Sequence, residues 1–127
     1  MQTKKKFLVR KNEEFDKIPP LHVEGNTRAR RILTSKLTGS DKMMLGIGTI
    51  MPGDSHAWHT HPTDEEEINY IIEGRGLFSW VEEGGEKREC VVERGDVVYS
   101  PGDVPNMQLN IGDRPFRFVY IISPPRE

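Results

Sequence analysis

From residue 43 onward, apolar and polar positions alternate in short runs broken by turn residues. "MMLGIGTIM" ends at "PGD", "INYIIEG" passes through a glycine into "RGLFSWV", and "EEGGEK" links that run to "RECVVE". "GDVVYSPGDVP", "NMQLN" and "FRFVYIIS" follow, the last closed by Pro124 and Pro125. Turn signals about eight to twelve residues apart, between runs of strand-forming residues, predict an all-β sandwich or barrel. The paired glycines of "EEGGEK" predict a hairpin. No stretch here sustains a helical apolar period.

The first forty residues are less regular. "NEEFDKIPP" fits one helical turn stopped by Pro19, "LHVEGN" reads as a link, and "TRARRILTSKL" as a further strand. A chain of 127 residues suits one domain with one core. The expected organisation is therefore a single domain over 1–127, with an N-terminal arm of strands over 1–40 and a core barrel over 43–122.

Composition adds limits. With 35% apolar and 30% charged residues the chain has the make-up of a globular protein, not a disordered one. No apolar run is long enough to cross a bilayer as a helix, and the basic opening "MQTKKKFLVR" lacks a signal-peptide core, so the expectation is a cytoplasmic protein with no membrane partner. The one cysteine, Cys90, cannot form an internal disulfide and is expected to be a half-buried, inert thiol. Charge is uneven: residues 1–40 carry ten Lys/Arg against four Asp/Glu, and the remainder eight against sixteen. The basic residues are scattered and no helix-turn-helix pattern accompanies them, so nucleic acid is not expected as a partner. The opening third instead reads as a cover for the acidic remainder, in its own domain or in a homodimer that exchanges N-terminal strands and so protects a sheet edge.

"HAWHTHPTDEEE", residues 56–67, gathers three of the four histidines with four acidic side chains. Strand alternation sets His59 and His61 on one face and His56 on the other. Two imidazoles two residues apart can grip one ion, and a neighbouring strand that begins at Glu67 would add a carboxylate. Nitrogen and oxygen donors of this kind suit Mn, Fe, Ni, Zn or Co. The competing reading is a solvated acidic loop that happens to carry imidazoles.

The pattern extends beyond the cluster. "GDSHAWHTH" followed by "EINYIIEG" resembles the first cupin motif, and "GDVVYSPGDVPNMQLN" resembles the second, with Gly95, Pro101 and Asn110 in step. The resemblance, over about residues 43–122, implies a double-stranded β-helix, the jelly-roll barrel of the cupins, with motif residues lining its cavity. It implies metal ligands at His59, His61 and Glu67. The gap before Glu67 is one residue longer than usual, which leaves Glu66 as an alternative, although Glu67 is better spaced from Gly74. The second motif departs further: Asn106 stands where the family has its fourth ligand, a histidine, and Asp103 where it has a glycine. Asn106 and Gln108, on one face of a strand, would then form an amide wall beside an open three-ligand site.

An open site favours catalysis, and the resemblance implies an isomerase, lyase, decarboxylase or dioxygenase type of reaction on an oxygen-rich carboxylate, keto or sugar-derived small molecule. The alternative is a non-catalytic ligand-binding module whose metal site has degraded. Glu66, Glu73 and Tyr99 qualify as general bases by position alone. Trp58 is expected to face away from the histidines, and Phe78 and Trp80 to pack in the core. Arg28, Arg30 and Arg31 could bind an anion, but read first as a solvated face or an interface.

Overall fold

A computed structural model describes residues 4–24 and 27–126, with the side chains of 22–24 excepted. Ten strands form two antiparallel sheets: β1 (Leu21–Glu24), β2 (Thr27–Leu33), β3 (Met44–Ile50), β4 (Ser55–His59), β5 (Glu66–Glu73), β6 (Arg75–Val81), β7 (Lys87–Glu93), β8 (Val97–Pro101), β9 (Asn106–Asn110) and β10 (Phe116–Ser123). One sheet has the order β1-β2-β3-β10-β5-β8 and the other β4-β9-β6-β7. This is the expected all-β jelly roll. A 3-10 turn over Asn12–Lys17 precedes Pro19, as "NEEFDKIPP" predicts. "LHVEGN" is not merely a link: Leu21–Glu24 form a strand that folds back on β2, while residues 25 and 26 lie outside the described residues. "TRARRILTSKL" divides into β2 and a one-turn helix, Ser35–Thr38, capped by Thr34 Oγ1.

The core lies between the sheets. Phe78, Phe116 and Phe118 meet at ring distances of 5.4–6.5 Å, flanked by Ile50, Ile71, Val92 and Ile122. Trp80 is only half-buried and donates Nε1–H to Glu82 Oε1. Cys90 is exposed, not half-buried, because β7 is an edge strand with almost every side chain in solvent. Tyr120 also points inward, and its ring lies across Gly46 on the neighbouring strand; a Cβ at Gly46 would overlap that ring. Glycine at this position is what lets the phenol reach sideways towards β2.

Asn110, the last residue of the second motif, is a buried tie. Its Nδ2 donates to the carbonyls of Ile50 (2.8 Å) and Arg114 (2.7 Å), and its Oδ1 accepts from the Gly112 N–H (2.8 Å). One amide thus fixes the ends of β3, β9 and β10 together.

Candidate metal centre

At one end of the barrel a cavity of about 410 Å³ opens between the sheets. Its walls come from β2, β3, β4, β5, β9 and β10, and it holds all three histidines of "HAWHTH". Strict alternation would put His56 outside. It does not, because the β4–β9 pairing slips: His56 pairs with Gln108, yet His59 pairs with Asn106, so three steps on β4 match two on β9. That irregularity turns His56 and His59 to the same side, where their rings stack at 4.0 Å. Trp58 stays outside, 43% exposed, with Lys87 Nζ 5.4 Å from its ring centre.

His61 is not on the strand. β4 ends at His59, and His61 sits in the following loop with its ring edge-on to His59 at 4.8 Å. The loop is held by the second motif. Asp103 takes a left-handed conformation (φ 65°) and donates its N–H to the His61 carbonyl at 3.0 Å. Gly102 leaves the space that the Pro62 carbonyl occupies. Asp103 thus does the conformational work of the glycine it replaces, since aspartate is among the few residues that tolerate this region.

β5 brings up the carboxylates. Glu67, Asn69 and Ile71 point inward; Glu66 points outward, where it accepts a 2.7 Å hydrogen bond from Tyr99. Glu65, just before the strand, is 4% exposed. The two inward carboxylates address opposite nitrogens of one ring: Glu65 Oε2 is 3.0 Å from His61 Nδ1, and Glu67 Oε1 is 3.6 Å from Nε2. Donor atoms of His61, Glu65 and Glu67 lie within 4.8 Å of one another. His59 stands outside that cluster: its Nδ1–H donates to the Ala57 carbonyl at 2.7 Å, which leaves Nε2 as its remaining donor atom.

Burial pushes the Glu67 carboxyl up to about 7 despite a hydrogen bond from Asn69, and it raises Glu65 as well. Burial, followed by the charges of Arg126, His59 and His56, lowers His61 to about 4. Imidazole is therefore neutral at physiological pH, as a metal ligand must be. Arg126 supplies positive charge from the C-terminal segment: its Nε is 3.4 Å from Glu65 Oε1 and its NH1 3.0 Å from His61 Nδ1.

A family model for the cupin domain matches residues 46–122. The chain belongs to the cupin family. A Methanocaldococcus jannaschii protein, uncharacterised MJ1618, is 34% identical over 112 residues, 88% of this chain and 85% of that one. The tetracenomycin polyketide synthase protein TcmJ of Streptomyces glaucescens is 31% identical over 107 residues, 84% of this chain and 67% of that one. Among solved structures, Bacillus subtilis oxalate decarboxylase, studied for its Mn(II) centres, superposes with a TM-score of 0.77 at 24% identity. The match covers 89% of this cupin but only 29% of that chain, and the likeness is one of fold.

The two cupin motifs thus meet as their spacing implies, with two particulars that differ. Glu65 belongs to the cluster, and no motif position marks it; its place in the acidic run "DEEE", four residues after His61, is the only sequence signal. Asn106 is buried but does not line the cavity. Its Nδ2 donates to the Val104 carbonyl and its Oδ1 accepts from Gln108 Nε2 at 2.8 Å. Gln108 does line the cavity, so the expected amide wall reduces to one amide held in place by another. Among the described residues no helix is long and apolar enough to cross a membrane.

Proposed function

We propose that this cupin binds one divalent transition metal through His61 and Glu67, with His59 completing the set, and uses it on a small oxygen-rich molecule in an isomerase, lyase, decarboxylase or dioxygenase type of reaction. The observation that carries this reading is that two carboxylates, the buried Glu65 and the mostly buried Glu67, flank opposite nitrogens of the His61 ring. Histidines that bind metals through one nitrogen commonly present the other to a carboxylate, which fixes the ring and its tautomer. In the metal-free chain His61 Nδ1 accepts from Arg126 and Glu65 Oε2 has no hydrogen-bond partner, so Glu65 would take that orienting role once Arg126 gives way, with Glu67 as the ligand. The donor set also fits a cation on electrostatic grounds. Two carboxylates with raised pKa sit beside a neutral imidazole, and a positive ion between Nε2 and Glu67 would favour the ionised forms.

When bound, the metal would polarise a carbonyl or carboxylate oxygen as a Lewis acid. The chain's own groups do the rest. Gln108 and Asn69 offer amide contacts to substrate oxygens, Phe118 and Ile122 form an apolar wall, and Arg126 neutralises Glu65 so that its carboxylate need not compete for the ion. A second copy of the chain is proposed to cover the outer face of the larger sheet. Ile68, Tyr70, Val97, Tyr99 and Ile121 adjoin one another there and are exposed. By contrast the β2–β3 half of that face buries Ile32 and Ile47, and Arg30 ties the N-terminal segment to it through the Ile18 carbonyl. The basic first third and acidic remainder give two copies complementary charge. Elemental analysis of the purified chain, with turnover screens on keto acids and sugar acids, tests the function. Metal with no turnover but tight ligand binding would instead favour a binding module.

A further inference from the structure

From the metal ligands, one part of the cavity wall runs as a row of side chains across the larger sheet. Arg31 of β2 pairs with Gly46 of β3, Gly46 with Tyr120 of β10, and Tyr120 with Asn69 of β5. All but Gly46 line the cavity. Both ends of the row hold polar groups without protein partners. Arg31 is half-buried, and among the described residues it makes no hydrogen bond or ion pair. Asn69 is 3% exposed, its amide donates to Glu67, and its Oδ1 has no hydrogen-bond partner. A half-buried guanidinium without an anion and a buried acceptor without a donor are both unfavourable, and a ligand that supplies both groups would satisfy them.

Resting on the reading of the cavity as a substrate site, we propose that its ligand is a hydroxycarboxylate of five or six carbons, its carboxylate paired with Arg31 and a hydroxyl donating to Asn69 Oδ1. The length follows from the sheet. Arg31 and Asn69 are three strand spacings apart, roughly 14 Å between backbones, and an arginine leaning along the sheet covers about half of that, so an acid of five or six carbons spans the remainder. The Tyr120 ring, laid over Gly46, floors that gap, and its hydroxyl senses Arg31, Glu67 and Arg126 together. A planar guanidinium suits a carboxylate better than an ammonium does, because it donates two parallel hydrogen bonds.

The test is calorimetric titration of the purified protein with D-gluconate, sorbitol and hexanoate, before and after chelation, with metal content measured in parallel. Gluconate is expected to bind at least tenfold more tightly than sorbitol, which lacks the carboxylate, and than hexanoate, which lacks hydroxyls. Arg31→Gln is expected to weaken gluconate about tenfold to a hundredfold with metal content unchanged. Arg31→Lys keeps the charge without the fork, is expected to lose less, and carries the test should Arg31→Gln unfold. Gluconate bound no better than sorbitol or hexanoate, or equally well by both Arg31 variants and the native chain, would overturn the proposal. A native chain that takes up no metal yet shows these Arg31-dependent differences would defeat the metal reading and leave this one standing.

Discussion

Glu65 approaches His61 from the side of the ring opposite Glu67, with Oε2 3.0 Å from Nδ1. Arg126 donates to Nδ1 in the metal-free chain, and Glu65, its Oε2 otherwise unpaired, is the carboxylate that would restrain the rotamer and tautomer of the ring once it binds a metal. Glu65→Gln is therefore expected to weaken metal binding by about tenfold to a hundredfold, the range for loss of such an orienting partner. Glu67→Gln should weaken it further, and Glu66→Gln should leave it unchanged, because Glu66 faces solvent beside Tyr99. Competition with a chromogenic chelator would rank the three.

Metal affinity should depend on pH in a definite sense. In the metal-free protein the Glu67 carboxyl is raised to about 7, so below that pH a cation must displace its proton, while His61, lowered to about 4, is already neutral. Affinity is expected to fall by up to about tenfold per unit as pH drops from 7 towards 5, and to level off above 7 as far as these two groups are concerned. Calorimetry in buffers of different ionisation enthalpy should show close to one proton released per metal at pH 6 and little at pH 8.

Asp103 is held at φ 65° so that its N–H reaches the His61 carbonyl. Asp103→Gly should be tolerated with full metal binding. Asp103→Val should destabilise the fold by about 1–2 kcal/mol, because a β-branched residue resists the left-handed region. Thermal melts of the two variants would read the difference.

Gly46→Ala should lower stability by about 1–3 kcal/mol, the usual range for overpacking, because the added methyl meets the Tyr120 ring. The same substitution should narrow the cavity by driving the phenol away from β3. Chemical denaturation and gluconate titration would register the two effects separately.

The exposed apolar face of β5, β8 and β10 should be buried in a dimer. Ile68→Glu is expected to convert a dimeric mass in light scattering to a monomeric one without loss of metal. A monomeric native chain would refute the interface.

Much of this was legible in the sequence because strands and turns are written locally. The runs that became β3 and β5 to β10 stand out by strand-forming residues between glycine and proline, and the two cupin motifs gave the fold and put His59, His61 and Glu67 beside one cavity. What escaped depends on non-local pairing. Strict alternation assigns His56 to the outer face because it assumes an unbroken register, and the slip against β9 cannot be seen in "SHAWH" alone. Glu65 escapes a reading of the sequence because the acidic run offers four adjacent carboxylates, and only the start of β5 at Glu66 decides which of them point inward. "LHVEGN" reads as a link because its strand character depends on pairing with β2. Cys90 reads as half-buried because "RECVVE" does not reveal that its strand lies at an edge.

The most direct test of the central claim is metal content per chain, by elemental analysis, for the native protein and for His61→Ala and Glu67→Gln after exposure to Mn, Fe, Co, Ni or Zn and removal of free ion. The account predicts near-stoichiometric retention of one of these metals by the native chain and its loss in both variants. A native chain that retains none of them, or variants that retain as much as the native chain does, would contradict it.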